Sequence, residues 1–144
     1  MVTYDGPEFL DQYSGVKISV ADKDLFVYKT RVNHDRIFSW NVPDTYAPLS
    51  IFDFEGKVNV KIKAENKDLS SVKISPQVYG IEPLIQGDTI SFNLEYPDNY
   101  VVEYNGEEEN AIHWFASELE KNPFTAEDAK NDDSIIYIGP GVYK

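Results

Sequence analysis

The sequence predicts an all-β fold, an antiparallel β-sandwich of about eight to ten short strands forming one domain over residues 1–144, on three observations. Apolar residues recur with a period of two in several short runs, turn signals separate those runs, and no segment carries the apolar stripe of an amphipathic helix. The composition agrees, because 10 Tyr and 8 Phe in 144 residues favour strands that pack rings between sheets.

The first run sets Val16, Ile18 and Val20 against Lys17 and Ser19, the pattern of a strand buried on one face. A polar stretch, Ala21 to Asp24, separates it from Leu25-Phe26-Val27-Tyr28, and that spacing predicts a hairpin. From Lys29 to Ala47 the alternation breaks around Pro43 and several rings, so the segment reads as a long loop packed down onto the domain. Leu49 to Phe54 then leads through Glu55-Gly56 into the cleanest alternation in the chain. There Val58, Val60, Ile62 and Ala64 face inward, while Lys57, Asn59, Lys61 and Lys63 face water. A slip of one residue would bury three lysines, which secures the register.

Val72-Lys73-Ile74 predicts a short strand ended by Pro76, and Tyr79 to Ile85 runs extended; Pro76 and Pro83 argue against a central position. Thr89 to Leu94 alternates again, Pro97-Asp98-Asn99 turns, and Tyr100 to Tyr104 returns. Asn105-Gly106 predicts a tight turn with both residues at positive φ. Ala111 to Ala116, apolar at all positions but His113, reads as a buried strand. Ala126 to Lys130 predicts a single helical turn with no core-facing stripe, and Ile135 to Ile138 a last strand before the turn Gly139-Pro140-Gly141.

Net charge is −12, from 25 acidic against 13 basic residues, which repels a phosphate backbone and an anionic bilayer alike. The sequence therefore argues against nucleic-acid and membrane partners, and no apolar run approaches the roughly 20 residues that span a bilayer. The absence of cysteine excludes a disulfide, a thiolate nucleophile and a thiolate zinc site. Residues 1–7 lack the basic-then-apolar pattern of a signal peptide.

His34 and His113 are the only histidines and have no third ligand at a metal spacing, so neither a metal nor a cofactor is expected. There is no Gly-x-Ser-x-Gly elbow and no phosphate-cradling glycine loop. Acidic clusters at Asp22 with Asp24, Glu107 to Glu109, and Asp128 with Asp132 and Asp133 fall in turn segments, where carboxylates are solvated and ionised. No catalytic residue is assigned. The remaining candidates are rings on which a sugar can stack, namely Trp40, Tyr46 and Tyr79. For Trp40 the competing role is to anchor its loop, and for Trp114 to fill the core.

The order of blocks carries a resemblance. It runs from Val16-Lys17-Ile18-Ser19-Val20 and Leu25-Phe26-Val27-Tyr28 through Ser50-Ile51-Phe52-Asp53-Phe54-Glu55-Gly56-Lys57-Val58 and Val72-Lys73-Ile74-Ser75-Pro76. It continues with Tyr79-Gly80-Ile81 and Val102-Glu103-Tyr104-Asn105-Gly106, and closes on Ile136-Tyr137-Ile138-Gly139-Pro140-Gly141-Val142-Tyr143. In this order the chain resembles the N-terminal β-sandwich domain ahead of the right-handed parallel β-helix in glycoside hydrolases related to dextranase, isopullulanase and polygalacturonase. The resemblance implies a noncatalytic accessory domain that caps a β-helix catalytic domain in cis, as the leading module of a larger polysaccharide-degrading enzyme. It implies a docking face at Tyr137, Pro140, Val142 and Tyr143, a secreted or periplasmic parent, and catalytic aspartates in coils beyond this sequence. The alternative is an independent carbohydrate-binding module with a polysaccharide as its partner.

Overall fold

The computed structural model describes residues 1–33, 43–65 and 67–139. The chain forms β1 (Val2–Thr3), β2 (Val16–Val20), β3 (Lys23–Asp24), β4 (Tyr28–Arg31), β5 (Tyr46–Phe54) and β6 (Val58–Ala64). Then follow β7 (Val72–Ser75), β8 (Leu84–Gln86), β9 (Thr89–Leu94), β10 (Asp98–Tyr104), β11 (Ile112–Glu118) and a short helix α1 (Ala126–Asn131). The strands build two sheets, as expected of an all-β sandwich. The first has the order β1-β5-β11-β10-β7, with β4 also pairing β5, and the second has the order β3-β2-β6-β9-β8.

The second sheet follows directly from its sequence. In β6 the buried and exposed positions alternate without a break, and Val60, Ile62 and Ala64 are fully enclosed. Its outer face is lysine-rich, and Lys17 lies directly across from Lys63. That like-charge pair is offset from the rim, where Glu65 takes Lys17 at 3.1 Å and Asp88 takes Lys63 at 3.6 Å. Pro76 and Pro83 flank β7 and β8, and both strands are sheet edges, as the prolines predict.

The first sheet is built around β5. One side of β5 pairs in parallel with β11, Leu49 opposite His113 and Phe54 opposite Glu118. Its other side is shared by β4, against Tyr46 to Leu49, and by β1, against Phe52 and Asp53. Trp114 ties the layers together. It stacks on Phe92 of β9 at 5.7 Å and meets Phe52 of β5 edge-on at 6.3 Å, so this residue fills the core. Fully burying each such side chain contributes about 1.5–3 kcal/mol.

Several local expectations need correction. Residues 25–28 do not extend a hairpin: β3 pairs β2 over two positions only, the Leu25 N–H adds one bond to the Ile18 carbonyl at 2.9 Å, and the chain then crosses to the first sheet as β4. Leu25 and Val27 are buried on the way across, so their period of two marks burial rather than a shared ladder. The loop of residues 29–47 is shorter than its pattern indicates, because Tyr28–Arg31 and Tyr46 to Leu49 pair as strands and the Val32 N–H bonds the Thr45 carbonyl at 2.9 Å. Likewise β10 does not return along β9 but changes sheet and pairs with β7 and β11.

Ala111 is buried, but from Ile112 on the strand is buried on one face only. Ile112, Trp114 and Ala116 point inward, while Phe115 is 42% exposed. Ile135 to Ile138 is not a strand, and Ile136 is 86% exposed. An apolar run sets a tendency to extend, but a strand also needs a partner edge, which pattern cannot supply. The helix α1 has no buried residue, as expected, and is held by a capping box between Thr125 and Asp128.

Candidate functional site

A cleft of tyrosines forms where two connections between the sheets converge. After β7 the chain makes one 3-10 turn, Gln77–Tyr79, closed by Gly80 at φ 57°. That turn presents Tyr79. After β9, Glu95-Tyr96-Pro97 carries the chain back to the first sheet and presents Tyr96. The two rings stack at 5.3 Å with an interplanar angle of 18°, and Tyr100 of β10 lies beneath them, 5.8 Å from Tyr79. Gly80, Ile81, Glu82, Asn93 and Glu95 complete the lining of a cleft of about 290 Å3.

Hydrogen bonds fix this arrangement. The Tyr79 hydroxyl donates to Asp98 Oδ2 at 2.6 Å, and the Tyr100 hydroxyl donates to the Tyr96 carbonyl. The Tyr79 hydroxyl, followed by the Asn99 N–H, holds the Asp98 carboxyl below the usual range. The same hydrogen bond raises Tyr79. Burial is the main reason that the Tyr100 phenol is pushed up to about 12, since only 1% of this residue is exposed. Tyr96 is 56% exposed, a rigid ring open to solvent.

The sugar-stacking candidates are not brought together. Tyr79 lies in the cleft, beyond β7 at one edge of the first sheet. Tyr46 lies on β5 and lines a separate hollow with Tyr13, Lys29, Asp44 and Glu109. The Lys29 ammonium sits 4.5 Å over the Tyr46 ring, and the Tyr46 hydroxyl donates to Asp44 at 3.1 Å, so one ring face is already taken. Trp40 lies outside the described residues. Tyr96 went unnoticed in the sequence, where the only local signal is an aromatic residue against the Pro97-Asp98 turn.

Four carboxylates of the acidic clusters have structural partners. Asp22 pairs with Lys61 at 2.7 Å, Glu107 with Lys67 and Asn110, Asp128 with Thr125, and Asp132 with Ser134. Each of these four carboxyls is held below its usual range by those bonds. Among the described residues no group of three or more His, Cys, Asp or Glu is placed to hold a metal ion, and no helix is long and apolar enough to cross a membrane.

Two surfaces stand apart from the charged exterior. On the outer face of the first sheet, register places Val101, His113, Leu49 and Tyr28 in one row and Phe115 beside Ile51 in the next. In the segment after β11, Phe124 is 65%, Tyr137 44% and Ile138 70% exposed. Of the expected docking residues Tyr137 is thus solvent-accessible, while Pro140, Val142 and Tyr143 lie outside the described residues.

No family model matches the sequence, and no curated protein matches it. In fold the chain is similar to Dex49A from Penicillium minioluteum, with a TM-score of 0.55 and 19% sequence identity. The match covers 88% of this chain and 33% of that one, so the chain spans about a third of the solved protein's length. At this identity the likeness speaks for the fold.

Proposed function

We propose that the chain is a noncatalytic accessory module of a polysaccharide-degrading glycoside hydrolase, packing in cis against a parallel β-helix catalytic domain. The observation that carries the reading is the asymmetry of coverage: nearly the whole sandwich corresponds to a minor part of Dex49A, a glycoside hydrolase of the dextranase type. The order of blocks in the sequence leads independently to the same group of enzymes. An open β-helix end presents unpaired backbone and apolar core, and a sandwich seated on it removes that hazard.

The exposed Phe124, Ile136, Tyr137 and Ile138 supply apolar surface for such a contact, on a segment whose short helix buries nothing of its own. In this reading hydrolysis belongs to the partner domain, and the carboxylates of Asp22, Glu107, Asp128 and Asp132 serve the sandwich through the bonds that hold them. The test is to read the coding sequence beyond Lys144 and to mix this chain with the separately produced domain it encodes. Repeating coils there, and a complex whose β-helix melts at higher temperature than alone, support the proposal. A reading frame without such coils, or release of reducing sugar from glucan or polygalacturonate by this chain alone, refutes it.

A further inference from the structure

The cleft at Tyr79 and Tyr96 goes beyond docking, and the geometry points to a binding subsite for a neutral hexopyranose unit, which selects against uronic acids. Two connections from different sheets converge on the cleft, and three tyrosines are immobilised there. Tyr79 is locked to Asp98, Tyr100 to the Tyr96 carbonyl, and Tyr79 and Tyr96 to one another by stacking. Ligand binding therefore orders little that is not ordered already. Tyr79 takes one face of Tyr96, and with 56% of that residue still open its other side gives the C–H face of a pyranose a flat ring to lie on.

Around that ring the polar groups are acceptors suited to hydroxyls. Glu82 contributes a carboxylate, Glu95 a carboxylate that also takes Lys57 at 2.8 Å, and Asn93 an amide whose oxygen accepts from Asn59 at 3.3 Å and whose N–H groups can donate. At about 290 Å3 the cleft lies at the small end of the roughly 300–1,000 Å3 typical of ligand sites, which suits one or two sugar rings rather than a long chain. Selection against uronates follows from charge. A sugar carboxylate entering here meets Glu82 and, behind Tyr79, the ionised Asp98, on a chain of net charge −12, while the charge of Glu95 is offset by Lys57. The Lys57 ammonium is engaged by Glu95 at 2.8 Å. The mutual stacking of Tyr79 and Tyr96 also leaves no cage of ring faces, the arrangement a quaternary ammonium needs.

The experiment is an NMR titration of the isolated chain with maltotriose and isomaltotriose, and separately with trigalacturonate. We expect a dissociation constant of roughly 0.1–10 mM for a neutral trisaccharide, with amide shifts confined to Tyr79, Glu82, Asn93, Glu95 and Tyr96. Tyr96→Ala should weaken binding at least about tenfold while costing only about 0.5–1.5 kcal/mol in urea unfolding, because it removes the stack on Tyr79 but truncates an exposed ring and keeps the carbonyl that Tyr100 uses. Glu82→Gln should narrow the discrimination against trigalacturonate. No shifts with either neutral sugar up to about 20 mM, shifts clustered elsewhere, or equal or tighter binding of trigalacturonate would each overturn the inference. These readings use this chain without its proposed partner, so their failure leaves the docking proposal standing.

Discussion

Raising the pH beyond 10 should destabilise the fold from beneath the tyrosine cleft, and replacing Tyr100 by phenylalanine should relieve that loss. Tyr100 is 1% exposed, and burial, then the neighbouring Tyr79 and Asp98, push its phenol from 10.0 up to about 12. Because the folded value lies above the unfolded one, the phenol's contribution is complete below pH 10 and is lost as pH rises through 12. At about 1.4 kcal/mol per tenfold, the whole span is worth on the order of 3 kcal/mol, of which about 2 kcal/mol is gone by pH 12. Near neutrality Tyr100→Phe should cost about 1 kcal/mol, since the variant lacks the hydroxyl that bonds the Tyr96 carbonyl. Wild-type stability minus that of the variant should therefore fall from about +1 kcal/mol at pH 8 to about −1 kcal/mol at pH 12. The assay is urea unfolding of both proteins across that range, followed by tryptophan fluorescence and circular dichroism. Tyr4, also raised to about 12, titrates in both proteins and cancels from the difference. Curves that stay parallel to within about 0.5 kcal/mol would refute the assignment of the alkaline limit to Tyr100.

Two further predictions concern the frame. Ser50 is fully buried, and its hydroxyl donates to the Phe26 carbonyl at 3.0 Å, fastening the crossover between the sheets. Ser50→Ala should cost about 1–3 kcal/mol in urea unfolding, while Ser19→Ala on the outer face of β2 should stay within about 0.5 kcal/mol; equal effects would deny the role of that bond. Asn105 sits at φ 55°, and its side chain bonds the Ser70 N–H at 2.8 Å and the Asp68 carbonyl at 2.9 Å. Asn105→Gly loses the bonds and Asn105→Ala loses both bonds and conformational ease, so Ala should unfold about 1 kcal/mol more readily than Gly, an order whose reversal in thermal melts counts against the reasoning.

What could be read from the sequence was local, and what could not was pairing. The alternation in β6 and β2 gave strand, face and register together, because a one-residue slip there buries lysines. Asn105-Gly106 declared its turn, with φ of 55° and 71°. The same alternation misled at Leu25 to Tyr28, where inward side chains accompany a backbone that is leaving one sheet for the other. It misled again at Ile135 to Ile138, where apolar residues find no edge. The parallel union of β5 and β11 has no sequence signature at all, since both strands read as ordinary half-buried runs.

The site was legible to the same degree. Tyr79 stood out as a ring beside a turn, but its partnership with Tyr96, Tyr100 and Asp98 depends on two crossovers meeting in space. Tyr46 looked equally available, and the fold seats it in a separate hollow with Lys29 over its ring.

The parallel union of β5 and β11 also governs the order in which the protein can be completed on the ribosome. Leu49 waits for His113, about sixty residues downstream, so β5 emerges long before the neighbour that closes its flank. At roughly 5–20 residues per second that interval lasts on the order of 3–12 s, during which an aromatic strand edge is open to chaperones and to other nascent chains. Vectorial synthesis therefore leaves the first sheet split between β5 and β10 until β11, near the end of the sandwich, has emerged.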